Sequence, residues 1–332
     1  MSQAELERLV RDRLYGGRSE VAAMPRRGRR NAPPRGAGQL GRLVGGRYRL
    51  LEHVGTGGMA TVYRARDERL ARNVAVKIIA DRLARQPLFV RRFRREAQLC
   101  ARLAHPNIVS LLDAGVTPRD FIVMELVGGC DAGTLLERKG RLTPGEAVHI
   151  LAHICEALAY AHHHDVVHQD VSPRNILIRQ PDWAVKLIDF GLASDSLDAT
   201  ARRRTAGTPR YIAPEILRGA GASPRSDLYS LGMVAYRLLG GPAGALPGDS
   251  DSTVPLAAAA ARRVPLGDAR PDLPRVLSEA VQRAVASDPD ARHESVAEFR
   301  DELVGALRAP VRRQRAAALL PGAARAELPS AA

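Results

Sequence analysis

Residues 166–178 read VVHQDVSPRNILI, two short apolar runs enclosing a polar stretch that holds His168, Asp170 and Asn175. Apolar runs destined for burial pin such a loop at both ends, so a carboxylate and a carboxamide are presented at a fixed place. Downstream, KLIDFGLA puts Asp189 at the end of another apolar strand-like run. Asp170, Asn175 and Asp189 together offer hard oxygen ligands of the kind Mg²⁺ takes beside phosphate oxygens. A lone Asp after a strand is ordinarily a turn former, so the reading rests on what accompanies it.

Two upstream motifs supply that company. In VGTGGMATVY, Gly55, Gly57 and Gly58 lie between strand-like runs, and without Cβ atoms their amides can approach phosphate oxygens closely. Taken alone, the turn reads equally well as a hairpin. A dinucleotide-binding fold is disfavoured, because the glycines lead into another strand, ATVYRARD, and not into a helix. In AVKII, Lys77 sits among apolar residues on a strand, a costly place for an ammonium without a partner or anionic ligand. The plainer alternative is a lysine on the solvent face of an edge strand. Glu96, within the helical-period run LFVRRFRREAQLCARL, is a candidate partner, although an isolated Glu among arginines is ordinarily a weak surface pair.

The chain has 332 residues, enough for two lobes or domains, and a formal charge of +14. That charge is uneven. Residues 1–47 carry 11 Arg against 4 acids and residues 308–332 carry 5 Arg against one Glu, so the middle is nearly neutral. Only three Lys occur in the chain, and the Arg and Ala excess reads as the coding bias of a GC-rich genome. Cys100, Cys130 and Cys155 share no metal-ligand spacing and cannot close a disulfide framework, which points to a reducing cytoplasmic setting. Neither a membrane-length apolar run nor a secretory signal is visible.

Residues 15–46 are rich in Gly, Pro and Arg and read as a disordered arm, preceded by one short helical pattern, SQAELERLVRDRL. From Tyr48 short β-type runs alternate with turns, and after Gly128 helical signals dominate. TPGEAVHILAHICEALAYAHHH opens with Thr143 as N-cap, Pro144 in the first turn and Glu146 completing a capping box. A mostly-β segment therefore precedes a mostly-α one.

The elements arrive in one order: glycine loop, strand Lys, helix Glu, H-x-D-x-x-x-x-N, D-F-G, and then Ala213-Pro214-Glu215. HPNIV at 105–109, GTPRYIAPE at 207–215, SDLYSLGMVAYRLL at 226–239 and DPDARHESVAEFRDEL at 288–303 follow the same scheme. Over about residues 48–305 this resembles the eukaryotic-type (Hanks-type) protein kinase family, in its bacterial serine/threonine branch. The resemblance implies an α+β, bilobal fold with a small antiparallel β N-lobe (48–127) carrying one main helix. A larger, mostly α C-lobe (128–307) follows, with the basic arm 1–47 and the Ala-rich basic tail 308–332 outside the kinase domain.

It also implies roles. Gly55, Gly57 and Gly58 lie over the ATP phosphates, with Ala60 where many relatives have a third glycine. Lys77 holds the α- and β-phosphates and Glu96 holds Lys77. Met124 is the gatekeeper, the backbone of Glu125 and Val127 bonds adenine, and Val62, Ala75 and Leu177 sandwich the purine. Asp170 orients the attacking hydroxyl, while Asn175 and Asp189 hold Mg²⁺ or Mn²⁺. Asp227 braces the catalytic loop, Glu215 pairs with Arg292, and Cys100 is a packed, unreactive residue beneath the helix. The run His162-His163-His164 reads as an ordinary polar helix end, ahead of a metal tract.

Two positions depart from the family pattern. Gln169 stands where most relatives have the Arg that reads an activation-loop phosphate, so activity is expected not to require phosphorylation of Thr200 or Thr205. Ser172 replaces the usual Lys, and Arg174 is the candidate to restore the missing positive charge; Thr208 in GTPRYIAPE favours Ser/Thr substrates. The leading expectation is a Ser/Thr protein kinase acting on protein substrates, itself included, as a monomer or weak dimer. Against it stand a pseudokinase scaffold, favoured by Gln169 and Ser172, and a small-molecule phosphotransferase, disfavoured by Glu215 and Arg292. PRRGRR at 25–30 and VRRQR at 311–315 could touch nucleic acid or an anionic surface, but a solvated tail is the preferred reading.

Overall fold

Alternation decides the first lobe. Tyr48 and Leu50 are buried while Arg49 and Leu51 are exposed, the period-two pattern of a sheet with one covered face. The computed structural model describes residues 39–190, 209–241 and 264–308. The helical pattern expected near the N-terminus, the arm that follows it, Thr200, Thr205, Thr208, most of the 240–264 segment and the basic tail lie outside the described residues.

Strands β1 (Leu43–Val44), β2 (Tyr48–Thr56), β3 (Ala60–Asp67), β4 (Arg72–Ile79), β5 (Leu111–Gly115) and β6 (Phe121–Glu125) form one antiparallel sheet in the order β1-β2-β3-β4-β6-β5. The central strand β4 is buried continuously from Val74 to Ile79 because both of its faces are covered. Val74, Val76 and Ile78 join Tyr48, Leu50, Tyr63 and Phe121 in the core on one face. Ile79 packs on the other face with Phe93 and Ala97 of helix α1 (Pro87–Ala101). Lys77 shares Ile79's parity, so its side chain leaves the strand towards α1.

The second lobe is helical: α2 (Ala132–Lys139), α3 (Pro144–His163), α4 (Pro214–Leu217), α5 (Pro224–Gly240), α6 (Leu266–Ala269), α7 (Arg275–Ala284) and α8 (Val296–Arg308). A small sheet of β7 (Gly129–Asp131), β8 (Ile176–Arg179) and β9 (Val185–Leu187), in that order, belongs to the same lobe, with α2 and α3 between β7 and β8 in sequence. The expected capping box opens α3: the Glu146 N–H donates to Thr143 Oγ1 at 3.3 Å and the Thr143 N–H donates to Glu146 Oε2 at 3.0 Å. Helix α3 is buried almost all round and forms the centre of the main core with α5 and α8. Gly232 on α5 lets α7 approach; a Cβ there would lie 2.8 Å from that of Ala284.

The HPNIV segment stitches the lobes together. Asn107 Nδ2 donates to the Val185 carbonyl at 2.9 Å, the Leu187 N–H donates to the Asn107 carbonyl at 2.8 Å, and the Val109 N–H donates to the Leu187 carbonyl at 3.0 Å. Among the described residues, no helix is long and apolar enough to cross a membrane.

Candidate active site

Lys77 and Glu96 meet because β4 and α1 pack face to face. The buried face of α1 runs through Phe93, Glu96, Ala97 and Cys100, so Glu96 sits among apolar residues and points at the sheet. Lys77 Nζ lies 2.6 Å from Glu96 Oε1 and 2.8 Å from Asp189 Oδ1, and the Lys77 side chain is only 6% exposed. Burial opposes the Lys77 charge, but Asp189 and Glu96 together outweigh it and hold the ammonium protonated well above the ordinary lysine range. For Asp189, burial raises and the Lys77 ammonium lowers, with the carboxyl held below its usual value. The same ion pair pulls Glu96 down, but burial is the stronger effect and raises it. Glu96 Oε2 is left buried without a hydrogen-bond partner among the described residues.

The stretch 166–178 carries the other half of the site. Asn175 Nδ2 donates to Asp170 Oδ2 at 2.9 Å and to the Asp170 carbonyl at 2.8 Å. His168 spans the loop: its Nε2–H donates to the Ile188 carbonyl at 2.9 Å, while Nδ1 accepts the Asp170 N–H at 3.2 Å. The Ile188 N–H in turn donates to the Asn175 carbonyl at 3.0 Å, tying the residue before Asp189 to the loop. Burial pushes the Asp170 carboxyl above the ordinary carboxylate range. Both loops are held in unusual backbone, with φ of +68° at Gln169 and +63° at Asp189.

Asp227, at the start of α5, fastens this backbone. Its Oδ1 accepts the Gln169 N–H at 2.8 Å and its Oδ2 accepts the His168 N–H at 2.8 Å. His162 Nε2–H donates to the same Oδ2 at 2.8 Å, a contact the sequence reading missed by treating the His run as a helix end. Among the described residues no cluster of three His, Cys, Asp or Glu is arranged to hold a metal. Glu215 and Arg292 form the expected pair, two parallel bonds of 2.7 Å, with the Arg292 side chain fully buried. Burial pushes the Cys100 thiol up to about 12, which fits a packing residue.

The remaining candidates come from β2, β3, β4, β6, β8 and the turns that join them. Val62 lies opposite Lys77 in the β3–β4 register and Ala75 opposite Met124 in β4–β6, which puts Val62 and Ala75 on the Lys77 face. Leu177 comes from β8, paired with Lys186. Gly57 and Gly58 lie in the β2–β3 turn, and Gly55 is paired with Val62 one residue before the end of β2. Glu125 and Val127 lie at the end of β6 and just beyond it; Glu125 Oε1 is held by Lys186 Nζ at 2.6 Å and by the Ser110 N–H at 2.8 Å. Ser172 is buried, whereas Arg174 is exposed and has no hydrogen bond or ion pair among the described residues.

The family described as protein kinase domain matches residues 48–269. The chain belongs to that family. Serine/threonine-protein kinase PknB of Mycolicibacterium smegmatis is 41% identical over 269 residues, which cover 78% of this chain and 42% of the relative. This chain therefore spans about two fifths of the length of such curated relatives. The kinase domain of Mycobacterium tuberculosis PknI is similar in structure, with a TM-score of 0.63 at 32% identity over 80% of this chain and 98% of that one. Rad53 1-466 in complex with AMP-PNP gives a TM-score of 0.63 at 27% identity, covering 77% of this chain and 65% of that one. The kinase fold expected from the motif order, a curled antiparallel lobe followed by a helical one, is the fold observed.

The donor set suits a phosphate-bound Mg²⁺. With the Asn175 amide nitrogen engaged by Asp170, its carbonyl oxygen is the end left for a cation. Asp189 keeps Oδ2 beyond the oxygen held by Lys77. One carboxylate and one carboxamide are too few to cage the ion alone, as expected where phosphates and water complete the shell.

Proposed function

We propose that this chain transfers the γ-phosphate of ATP to Ser or Thr hydroxyls of protein substrates, including its own. The observation that carries the reading is the Lys77 ammonium bridging Glu96 and Asp189 beside a loop in which Asn175 fixes one oxygen of Asp170. Relatives named as Ser/Thr kinases and a structural neighbour crystallised with AMP-PNP support the same chemistry.

In this mechanism the glycines Gly55, Gly57 and Gly58 cover the phosphates. Val62, Ala75 and Leu177 clasp the purine, and the Glu125 and Val127 backbone bonds its edge. Lys77 positions the α- and β-phosphates, its charge kept by two carboxylates. Asp170 Oδ1 faces the incoming hydroxyl and accepts its proton as the phosphoryl group leaves, while Asn175 holds Oδ2 still. Asn175 and Asp189 hold Mg²⁺ or Mn²⁺, which neutralises charge on the phosphates when bound. Arg174, the exposed cation of the loop, supplies positive charge near the γ-phosphate in place of the lysine lost at Ser172. Positioning and fixed charge provide most of the acceleration. The unpaired cysteines fit a reducing cytoplasm.

The test is transfer from labelled ATP and Mg²⁺ to the protein and to a basic generic substrate, comparing wild type with Asp170→Asn. Label as phosphoserine or phosphothreonine on wild type alone is expected. A folded, ATP-binding protein without transfer would replace this reading with a nucleotide-binding scaffold.

A further inference from the structure

The outer face of α1 carries a feature that the active site does not use. Arg91, Arg92, Arg95, Gln98, Leu99 and Arg102 line a surface depression of about 590 Å³. Their spacing places them on one stripe of the helix, opposite the face that buries Phe93, Ala97 and Cys100. Four guanidiniums thus follow one another over about 16 Å of helix.

None of the four has a carboxylate within ion-pair distance among the described residues, whereas about half of the other arginines of the lobe do. Arg94, which borders the stripe one turn from Arg91 and Gln98, reaches Asp120 at 2.5 Å; Arg47, Arg49 and Arg64 pair with Asp67, Glu68 and Glu52. Arg92 is partly sequestered: its guanidinium carbon lies 5.9 Å from the Phe89 ring centroid, and its Nε is buried without a hydrogen-bond partner. Four uncompensated like charges on one face oppose each other, and an anion relieves that cost.

We propose that this stripe is a docking site for an extended acidic segment of a partner protein. About five residues of extended chain span the stripe at ~3.3 Å each. Guanidiniums match carboxylates and phosphorylated side chains through paired N–H bonds. The chain's own tails cannot serve, because residues 1–47 and 308–332 carry net charges of +7 and +4. No aromatic side chain lines the depression for base stacking, and Leu99 is its one apolar member, which disfavours nucleic acid and lipid. The site lies away from the cleft, so docking leaves Asp170 free for another hydroxyl.

The test is fluorescence anisotropy at 0.15 M salt with a fluorescein-labelled decapeptide of alternating Glu and Ala, its Gln-for-Glu counterpart and a ten-residue oligothymidylate. Full-length wild type is compared with Arg92→Gln/Arg95→Gln, and with Arg94→Gln as a control on the same helix. The Glu peptide is expected to bind wild type and Arg94→Gln alike and the double variant about tenfold more weakly, the scale of lost charge-assisted hydrogen bonds. The Gln peptide should not bind. Equal binding by the double variant would assign the affinity to the basic tails and overturn the proposal, as would no binding to wild type. Tighter, equally arginine-dependent binding of the oligothymidylate would replace the protein partner with nucleic acid. The readout needs no catalysis, and equal melting temperatures exclude misfolding.

Discussion

Replacing Asp227 with Asn tests how the catalytic loop is held. The carboxylate accepts three hydrogen bonds: from the Gln169 N–H on Oδ1, and from the His168 N–H and His162 Nε2–H on Oδ2, each 2.8 Å long. An amide has one accepting oxygen. Whichever way Asn turns, its NH₂ faces at least one backbone N–H, because His168 and Gln169 donate to different oxygens. His162 can shift its ring proton to accept from the amide; a backbone N–H cannot. The residue at stake is 1% exposed, so water does not replace the lost bond. An unsatisfied buried donor costs about 1–3 kcal/mol, and releasing the left-handed Gln169 backbone adds about 1 kcal/mol of misplacement at Asp170, its neighbour. A total of about 2–4 kcal/mol, expressed in the catalytic arrangement, lowers kcat about 30- to 900-fold. The nucleotide contacts of Lys77 and Asp189 are untouched, so the KM for ATP should change little. Steady-state phosphotransfer with varied ATP, beside thermal melting, separates these effects. A kcat within about threefold of wild type at unchanged melting temperature would refute the reasoning.

Further expectations concern other parts of the molecule. Glu215→Ala strands the fully buried Arg292 guanidinium and should cost about 3–5 kcal/mol, a melting point lower by about 10 °C, while Glu215→Leu with Arg292→Met should recover most of it in a thermal scan. Asp67 is held down to about 2, chiefly by its Arg47 hydrogen bonds. Its folded pKa lies below the unfolded one, so its contribution to stability is present above about pH 4 and fades as pH falls through 2; melting curves should show a shallower acid loss in Asp67→Asn. The double variant Thr200→Ala/Thr205→Ala should retain turnover, since Gln169 offers no charge to read a phosphate; loss of activity in the same phosphotransfer assay would contradict this.

Much of the site was readable before any coordinates because it is ordered along the chain. Lys77, Glu96, Asp170, Asn175 and Asp189 each sit in a local pattern, and the order of those patterns carries the reading. The Thr143–Glu146 cap was equally legible, since both partners lie within one turn. His162 was not legible: its partner Asp227 is 65 positions away, and nothing local distinguishes it from His163 and His164. The direct Lys77–Asp189 contact and the Lys186–Glu125 pair at the end of β6 were missed for the same reason.

The sequence by itself determined which chemical groups are present, which secondary structures they ride on and in what order, because periodicity, capping and glycine placement act over a few residues. Tertiary structure decided which of those groups meet. The parity of β4 turns Lys77 towards α1, and α5 brings Asp227 beneath a backbone bend at Gln169. It also left Arg91, Arg92 and Arg95 of α1 and Arg102 just beyond it lining one depression, with no carboxylate in ion-pair distance among the described residues. Such pairings depend on distances closed between remote parts of the chain, for which no short stretch of sequence contains the information.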